Sequence, residues 1–240
     1  METYLWTCLI VFFAGFIQGL SGFGSVLVAL PLLAIILDIK AVIPLAALYG
    51  LSIAFLLLVQ LRKHLEWKKV WPLLLGAILG IPVGVFFLKK LDREIIHCIL
   101  GIILIGYSLY SLFFRTLRSG IGEAWGYVFG FLAGCLGGAL GASGPPVIVY
   151  TSLQSWGKDT IKVSLQGFFV LSSMLVIFGH AISGITTALV LRLFGISVPA
   201  MVFGTYVGSY FYGMIEEQWY RRVVLIFVAL LGGLMIYKAM

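Results

Sequence analysis

Long apolar stretches separated by short groups of charged residues make up most of this chain. A helix needs about 20 apolar residues to cross the hydrocarbon core of a bilayer, and each stretch comes close to that length or exceeds it. The eight stretches cover residues 3–37, 41–61, 70–88, 95–114, 124–154, 161–182, 194–214 and 219–238. The pattern predicts an all-α polytopic membrane protein with no room for a soluble domain between the helices.

The first and fifth stretches are much longer than one span, and glycines interrupt both of them. The fifth contains GGALGASGPP at residues 137–146. Glycine permits backbone dihedrals that other residues avoid, and proline ends one helix but suits the first turn of the next. Each of the two stretches is therefore predicted to be a broken helix or a hairpin.

The two overlong stretches also resemble each other in sequence. A shift of 119 positions aligns AGFIQGLSGFGS (14–25) with AGCLGGALGASG (133–144), and a shift of 124 aligns GIPVGVFF (80–87) with GTYVGSYF (204–211). We therefore predict two homologous halves of four stretches each, residues 1–118 and 119–240, in one integrated transmembrane domain. Secondary transporters are often built in this way, with broken helices near the substrate, although channels and intramembrane enzymes can also be duplicated.

Composition agrees with an integral membrane protein: 62% of residues are hydrophobic, 10% are charged and the mean hydropathy is +1.13. The first residues lack the basic region of a secretory signal, so we expect them to remain in the mature protein. Cys8, Cys98 and Cys135 have no metal-ligand spacing and are interpreted as small buried apolar residues, with no metal or cofactor expected. The net charge of +7 fits basic loops at a membrane surface and gives no reason to expect nucleic-acid binding.

The basic residues favour one arrangement of the overlong stretches over the other. If all eight stretches cross the membrane, eight Lys and Arg residues fall on each side. If the two overlong stretches enter and return as hairpins, ten Lys and Arg residues fall on one side and six on the other. Only the second division follows the positive-inside tendency, and it makes the halves inverted repeats with both termini outside. The ten residues then expected inside are Arg62, Lys63, Lys68, Lys69, Arg115, Arg118, Lys158, Lys162, Arg221 and Arg222.

Acidic residues are absent from the middle of every stretch, since all nine fall at or near stretch ends. A cation carrier or proton relay would normally keep a carboxylate in the membrane. Helix N-termini at the two breaks would instead favour an anion. The candidate substrate-binding residues lie at the two breaks, except for Gln166, which lies in the sixth stretch. They are Gln18, Gly19, Ser21, Gly22, Gly24, Ser25, Gly141, Ser143, Gly144, Pro145 and Gln166.

Several of these features also have plain structural interpretations. The glycine pairs four residues apart fit close helix packing, and Gln18 and Gln166 are equally compatible with hydrogen bonds that only join helices. His180, near a stretch end, is interpreted as an interfacial or capping residue.

Two segments resemble the TauE/SafE sulfite exporter family, also called the 4-toluene sulfonate uptake permease family. They are AGFIQGLSGFGSVLVALPLL (14–33) and ASGPPVIVYTSLQSWGKDTIKVSLQGFFVLSSMLVIFGHAISG (142–184). The resemblance implies a multi-pass protein of a bacterial-type inner membrane that transports sulfite or small organosulfonates, with the two breaks near the substrate. Phe23 stands where many relatives have small residues, which leads us to expect a reshaped site on that side.

The leading hypothesis is therefore a secondary transporter that moves a small anion by alternating access. An anion channel remains an open alternative. An intramembrane enzyme would need a nucleophile with a base or a metal cluster, and the sequence offers no such arrangement. The expected partners are the small anion, the lipid bilayer and, as an open alternative, a second copy of the chain in a homodimer.

Overall fold

The computed structural model describes residues 2–61, 63, 65–113, 120–212, 214 and 217–240, with the backbone alone at 217–219. This part of the chain contains ten helices and no strands, and seven helices are long and apolar enough to cross a membrane. The prediction of an all-α polytopic protein is confirmed. The helices are α1 (Glu2–Ser21), α2 (Ser25–Ile36), α3 (Ile39–Leu61), α4 (Trp67–Lys90), α5 (Arg93–Phe113), α6 (Ala124–Leu140), α7 (Gly144–Ser152), α8 (Lys158–Ile182), α9 (Ala188–Tyr210) and α10 (Glu217–Ala239).

Some sequence predictions concern residues outside the described ranges. Three of the cations expected inside, Arg62, Arg115 and Arg118, lie there, as does the acidic residue Glu216. The boundary between residues 118 and 119, which separates the two predicted halves, also lies there.

Six of the predicted stretches each form one helix, and the largest difference is at the start of α9. That helix begins at Ala188, six residues before the predicted start at 194, because the Thr187 side chain accepts a hydrogen bond from the backbone N–H of Val190 and caps the helix. The additional residues include Arg192, which lies exposed on this helix. The three cysteines are free but only partly buried, so their interpretation as buried residues was wrong.

The first overlong stretch forms a helical hairpin, with α1 and α2 as its arms. Between them, Gly22 and Gly24 have φ values of 83° and 98°, which only glycine adopts readily. The C-terminal end of α2 lies beside the N-terminal end of α1, since Ile35 and Ile36 line the same apolar groove as Trp6. The chain therefore turns at the break and returns.

The second overlong stretch makes a matching turn between α6 and α7, where Gly141 has a φ of 68°. The ring of Tyr150 on α7 lies 5.8 Å from that of Phe129 on α6. Beyond α7, the Gln154 side chain donates to the carbonyl oxygen of Ile121 at 3.1 Å. The two ends of this stretch are thus adjacent.

Glycines allow four helices to pack in two very close pairs, α1 with α9 and α4 with α6. A Cβ atom added at Gly80 would lie 2.2 Å from the carbonyl oxygen of Phe131, and one added at Gly204 would lie 2.1 Å from that of Phe12. The glycine spacing therefore serves helix packing at these positions, as one interpretation of the sequence predicted. In the remaining major pairs, α5 packs with α10 and α3 with α8.

Candidate functional site

A cavity of about 40 Å³ lies between the two hairpin breaks. It is bordered by the first residues of α2 and α7 and by residues of α3 and α8. No lining residue has an ionisable side chain. The lining residues are Gln18, Gly24, Ser25, Val26, Leu27, Gly50, Gly141, Ala142, Ser143, Gly144, Ile148, Phe169 and Ser173.

Buried amides fix the shape of the first break. The Ser25 hydroxyl donates to Oε1 of Gln18, whose Nε2 donates to Oε1 of Gln166 at 3.2 Å. Gln166 in turn donates to the carbonyl oxygen of Gly22 at 2.6 Å. Gln166 does not border the cavity, so its contacts are those of a residue that joins α8 to the hairpin. Gln18 both makes these contacts and borders the cavity.

Ser21 shapes the turn and faces away from the cavity. Its hydroxyl lies 2.7 Å from the carbonyl oxygen of Ile17 and 2.6 Å from that of Phe23. Ser21 and Phe23 border a separate small pocket together with Tyr220 and Arg221. Phe23 is therefore not at the central cavity, and the expectation that it reshapes that cavity is not supported by its position.

The second break places the hydroxyl of a buried serine, Ser143, at the cavity. The Ser143 hydroxyl lies over Gly137, where an added Cβ would come within 2.8 Å of Oγ, and it does not cap α7. Among the described residues, neither Ser143 nor Ser173 has a hydrogen-bond partner for its hydroxyl. Both hydroxyls border the cavity and are available to a ligand.

The two helix starts differ in the donors that they present. The first N–H groups of a helix have no partner within it, and Ser25, Val26 and Leu27 supply three such groups at the start of α2. In α7, Pro145 and Pro146 occupy the first turn and have no N–H. The first break is therefore the richer source of backbone donors, although the prolines make the second easier to recognise in the sequence.

Of the predicted site residues, six border the cavity and five do not. Gly19 packs against α9, Gly22 lies against Lys162, and Pro145 is buried in α7. With Ser21 and Gln166, these are the five outside the cavity. The six that border it are Gln18, Gly24, Ser25, Gly141, Ser143 and Gly144.

Sequence reasoning missed the contribution of α3 and α8 to the cavity. Gly50 comes from α3, and Phe169 and Ser173 come from α8. The two α8 residues follow Gln166 by three and seven positions, which places all three on one helix face. That spacing is the signal in the sequence that would have pointed to them.

Lys162 is the most consequential missed residue. The sequence places it at the start of the sixth stretch, among the cations expected inside, but α8 begins at Lys158, and Lys162 is only 6% exposed. Its ammonium group donates to the carbonyl oxygen of Gly19 at 3.2 Å and lies 3.2 Å from the ring centroid of Tyr212. A cation therefore lies buried against the first hairpin.

His180 has an equivalent position at the other end of α8. It is fully buried, and its Nε2 lies 2.9 Å from the carbonyl oxygen of Gly138 in the last turn of α6. The contact fits the capping interpretation, although the helix that the histidine caps is not its own. Gly138 and Gly19 correspond under the 119-residue shift, so both ends of α8 contact matched carbonyl groups.

Comparison with known proteins gives one match, which covers almost the whole chain. Residues 7–235 match the family described as Sulfite exporter TauE/SafE. No curated protein and no solved structure matches. This is a transporter family, and seven helices of the described chain can cross a membrane. The chain therefore belongs to the sulfite exporter TauE/SafE family and is a multi-pass membrane protein.

Proposed function

We propose that this protein is a secondary transporter that binds sulfite or a small organosulfonate in the cavity between the two hairpins. The supporting observation is the set of groups around that cavity: the Ser143 and Ser173 hydroxyls, the start of α2, and no ionisable side chain. Sulfite and sulfonate oxygens are negatively charged acceptors, which form strong hydrogen bonds with N–H and O–H donors. A cation would find no carboxylate there.

The cavity's size favours a compact anion. A single water needs about 10–15 Å³ of cavity space, and the cavity offers about 40 Å³. A group of a few atoms, such as sulfite or the sulfonate head of a longer molecule, matches that space. A larger organosulfonate requires one hairpin to move.

We further infer that the halves are inverted repeats and that transport proceeds by alternating access. Gly80 and Gly204 correspond under the 124-residue shift, while their contacts Phe131 and Phe12 correspond under the 119-residue shift. Equivalent residues of the two halves thus make equivalent contacts. Two such hairpins, approaching the cavity from opposite sides, offer two routes that can open in turn.

Counterflow in proteoliposomes tests the proposed function. Vesicles preloaded with unlabelled sulfite or a short alkyl sulfonate should accumulate the labelled anion transiently and saturably. An anion channel would show no counterflow, and an enzyme would return a chemically altered substrate. A thermal-shift panel of sulfite, sulfate, sulfonates and carboxylates should show stabilisation by sulfur oxyanions, and stabilisation by carboxylates alone would overturn the substrate class.

A further inference from the structure

One face of α8 runs from the N-terminal end of the helix to the cavity. Lys162, Gln166, Phe169 and Ser173 follow one another at spacings of four, three and four, which places them on the same side of the helix. Phe169 and Ser173 border the cavity, and Gln166 holds the first hairpin. Lys162 is the next residue of this face toward the N-terminal end of α8.

Lys162 is a buried cation that forms no ion pair with any other described residue. Asp159, one turn earlier, accepts a hydrogen bond from the Tyr212 hydroxyl at 3.1 Å. The ion pairs found among the described residues, Lys69 with Glu66 and Arg93 with Asp38, do not include Lys162. Lysine is almost never fully buried unless it is paired, and charged residues inside membrane proteins, which bond to one another or to backbone carbonyls, commonly mark substrate or ion pathways.

The ammonium group also retains donor capacity. It carries three N–H donors, of which the carbonyl oxygen of Gly19 accepts one. The Tyr212 ring covers one side. Gly22 leaves room for the lysine stem, because an added Cβ there would lie 2.7 Å from Cγ of Lys162.

We propose that Lys162 forms a second anion-binding position, one helical turn from Gln166. The substrate occupies this position on its way between the cavity and the N-terminal end of α8. In the described conformation the bond from Lys162 to Gly19 holds the first hairpin against α8 and closes this route. When the hairpin moves, the ammonium exchanges the carbonyl oxygen for an oxygen of the anion. This inference rests on the proposed transport of a small anion.

Transport by charge-altered variants gives the first test. Lys162→Gln should weaken the apparent affinity for sulfite or sulfonate about tenfold or more in proteoliposomes, because a hydrogen bond between charged groups is lost. Lys162→Arg should retain most of the affinity. The matched control is Lys158→Gln, an exposed lysine at the start of the same helix, which should transport normally. Equal losses in Lys162→Gln and Lys158→Gln would overturn the proposal.

A second test does not depend on which anion is transported. Ser173→Cys, in a background where Cys8, Cys98 and Cys135 are replaced, places one thiol at the cavity. The rate at which this thiol reacts is measured with two methanethiosulfonates, one bearing a sulfonate and one bearing an ammonium group. Lys162→Gln should lower the ratio of the sulfonate rate to the ammonium rate about tenfold, the expected loss for one charged hydrogen bond. An unchanged ratio would overturn the role of Lys162.

The transport test and the labelling test distinguish a failure of the proposed function from a failure of the proposed role of Lys162. If the wild-type protein transports none of the sulfur anions, the proposed function fails, and the labelling ratio still decides whether Lys162 attracts anions. If Lys162→Gln elutes as an aggregate in size-exclusion chromatography, Lys162→Met replaces it, since methionine preserves much of the apolar stem without the charge.

Discussion

The Gln18 side chain donates a hydrogen bond to Oε1 of Gln166 at 3.2 Å, although the two residues are 148 positions apart. This bond joins the end of α1 to the middle of α8. His180 joins the same helix to the end of α6 through the carbonyl oxygen of Gly138. α8 therefore holds both hairpins, each by a buried polar contact near its break, and a shift of α8 would be transmitted to both.

Replacing Gln166 should destabilise the protein and disturb the first break. Gln166→Ala leaves the buried Gly22 carbonyl and the Gln18 amide without these partners, which should lower the free energy of unfolding by about 1–3 kcal/mol. Because Gln18 and Gln166 share one bond, the loss in the double variant with Gln18→Ala should be smaller than the sum of the single losses. Thermal unfolding of detergent-purified protein measures this, with exposed Gln60→Ala as the control. Strictly additive losses would contradict the network.

The breaks could be predicted from the sequence because their cause is local. Tandem proline at 145 and 146 and the glycines at 22, 24 and 141 restrict or free the backbone at their own positions. The roles of Gln166 and Lys162 could not be predicted in the same way. Both depend on α1, more than 140 residues earlier in the chain, and a lysine four residues into a helix has the pattern of an interfacial charge.

The Ser143 and Ser173 hydroxyls should contribute directly to anion binding. Each is at the cavity and has no partner among the described residues. Replacement by alanine should therefore weaken binding by about 1.5–3 kcal/mol, the usual contribution of a hydrogen bond to a charged group, without loss of folding.

Titration of purified protein with sulfite measures this effect. Ser108→Ala is the control, because the Ser108 hydroxyl is buried in α5 away from the cavity and has no partner among the described residues. Wild-type affinity in both cavity variants would remove these serines from the site.

Helix packing should tolerate a methyl group at one glycine of α9 and reject it at another. In Gly204→Ala the new Cβ would lie 2.1 Å from the carbonyl oxygen of Phe12, so α1 and α9 must separate, at a cost of about 1–3 kcal/mol for overpacking. Nothing lies within 4 Å of the corresponding atom at Gly195. Gly195→Ala on the same helix should be neutral or slightly stabilising, since alanine is the better helix former. Equal melting temperatures for the two variants would contradict the close pairing of α1 and α9.

Only part of the cavity lining could be predicted from the sequence. The break residues Ser25 and Ser143 were identified because helix interruptions are visible in one segment of sequence. Gly50 and Ser173 line the same space from intact helices, where a single glycine or serine resembles a packing residue, and only the spacing of Ser173 from Gln166 points to the cavity. Their role depends on which helix face meets the breaks, and that is set by the pairing of α3 with α8.

The hairpin arrangement predicts which side of the membrane each loop faces. Lys68, Lys89 and Lys158 are exposed at helix ends, and each can be replaced by cysteine in a background without the native cysteines. If both overlong stretches return to the side from which they entered, Lys68 and Lys158 share one side and Lys89 lies on the other. If both stretches cross, Lys158 shares a side with Lys89 instead.

The structure supports the first outcome through contacts that a crossing stretch would forbid. Nζ of Lys69 lies 5.2 Å from the ring centroid of Trp156, and Nζ of Lys238 donates to the carbonyl oxygen of Ala34 at 2.7 Å. Each contact joins chain segments that a crossing stretch would place on opposite faces. In intact cells, an impermeant thiol reagent should label Lys89→Cys and leave Lys68→Cys and Lys158→Cys unlabelled until the cells are opened, since basic loops remain in the cytoplasm. Labelling of Lys158→Cys together with Lys89→Cys would show that the second hairpin crosses, and inverted repeats would then be excluded.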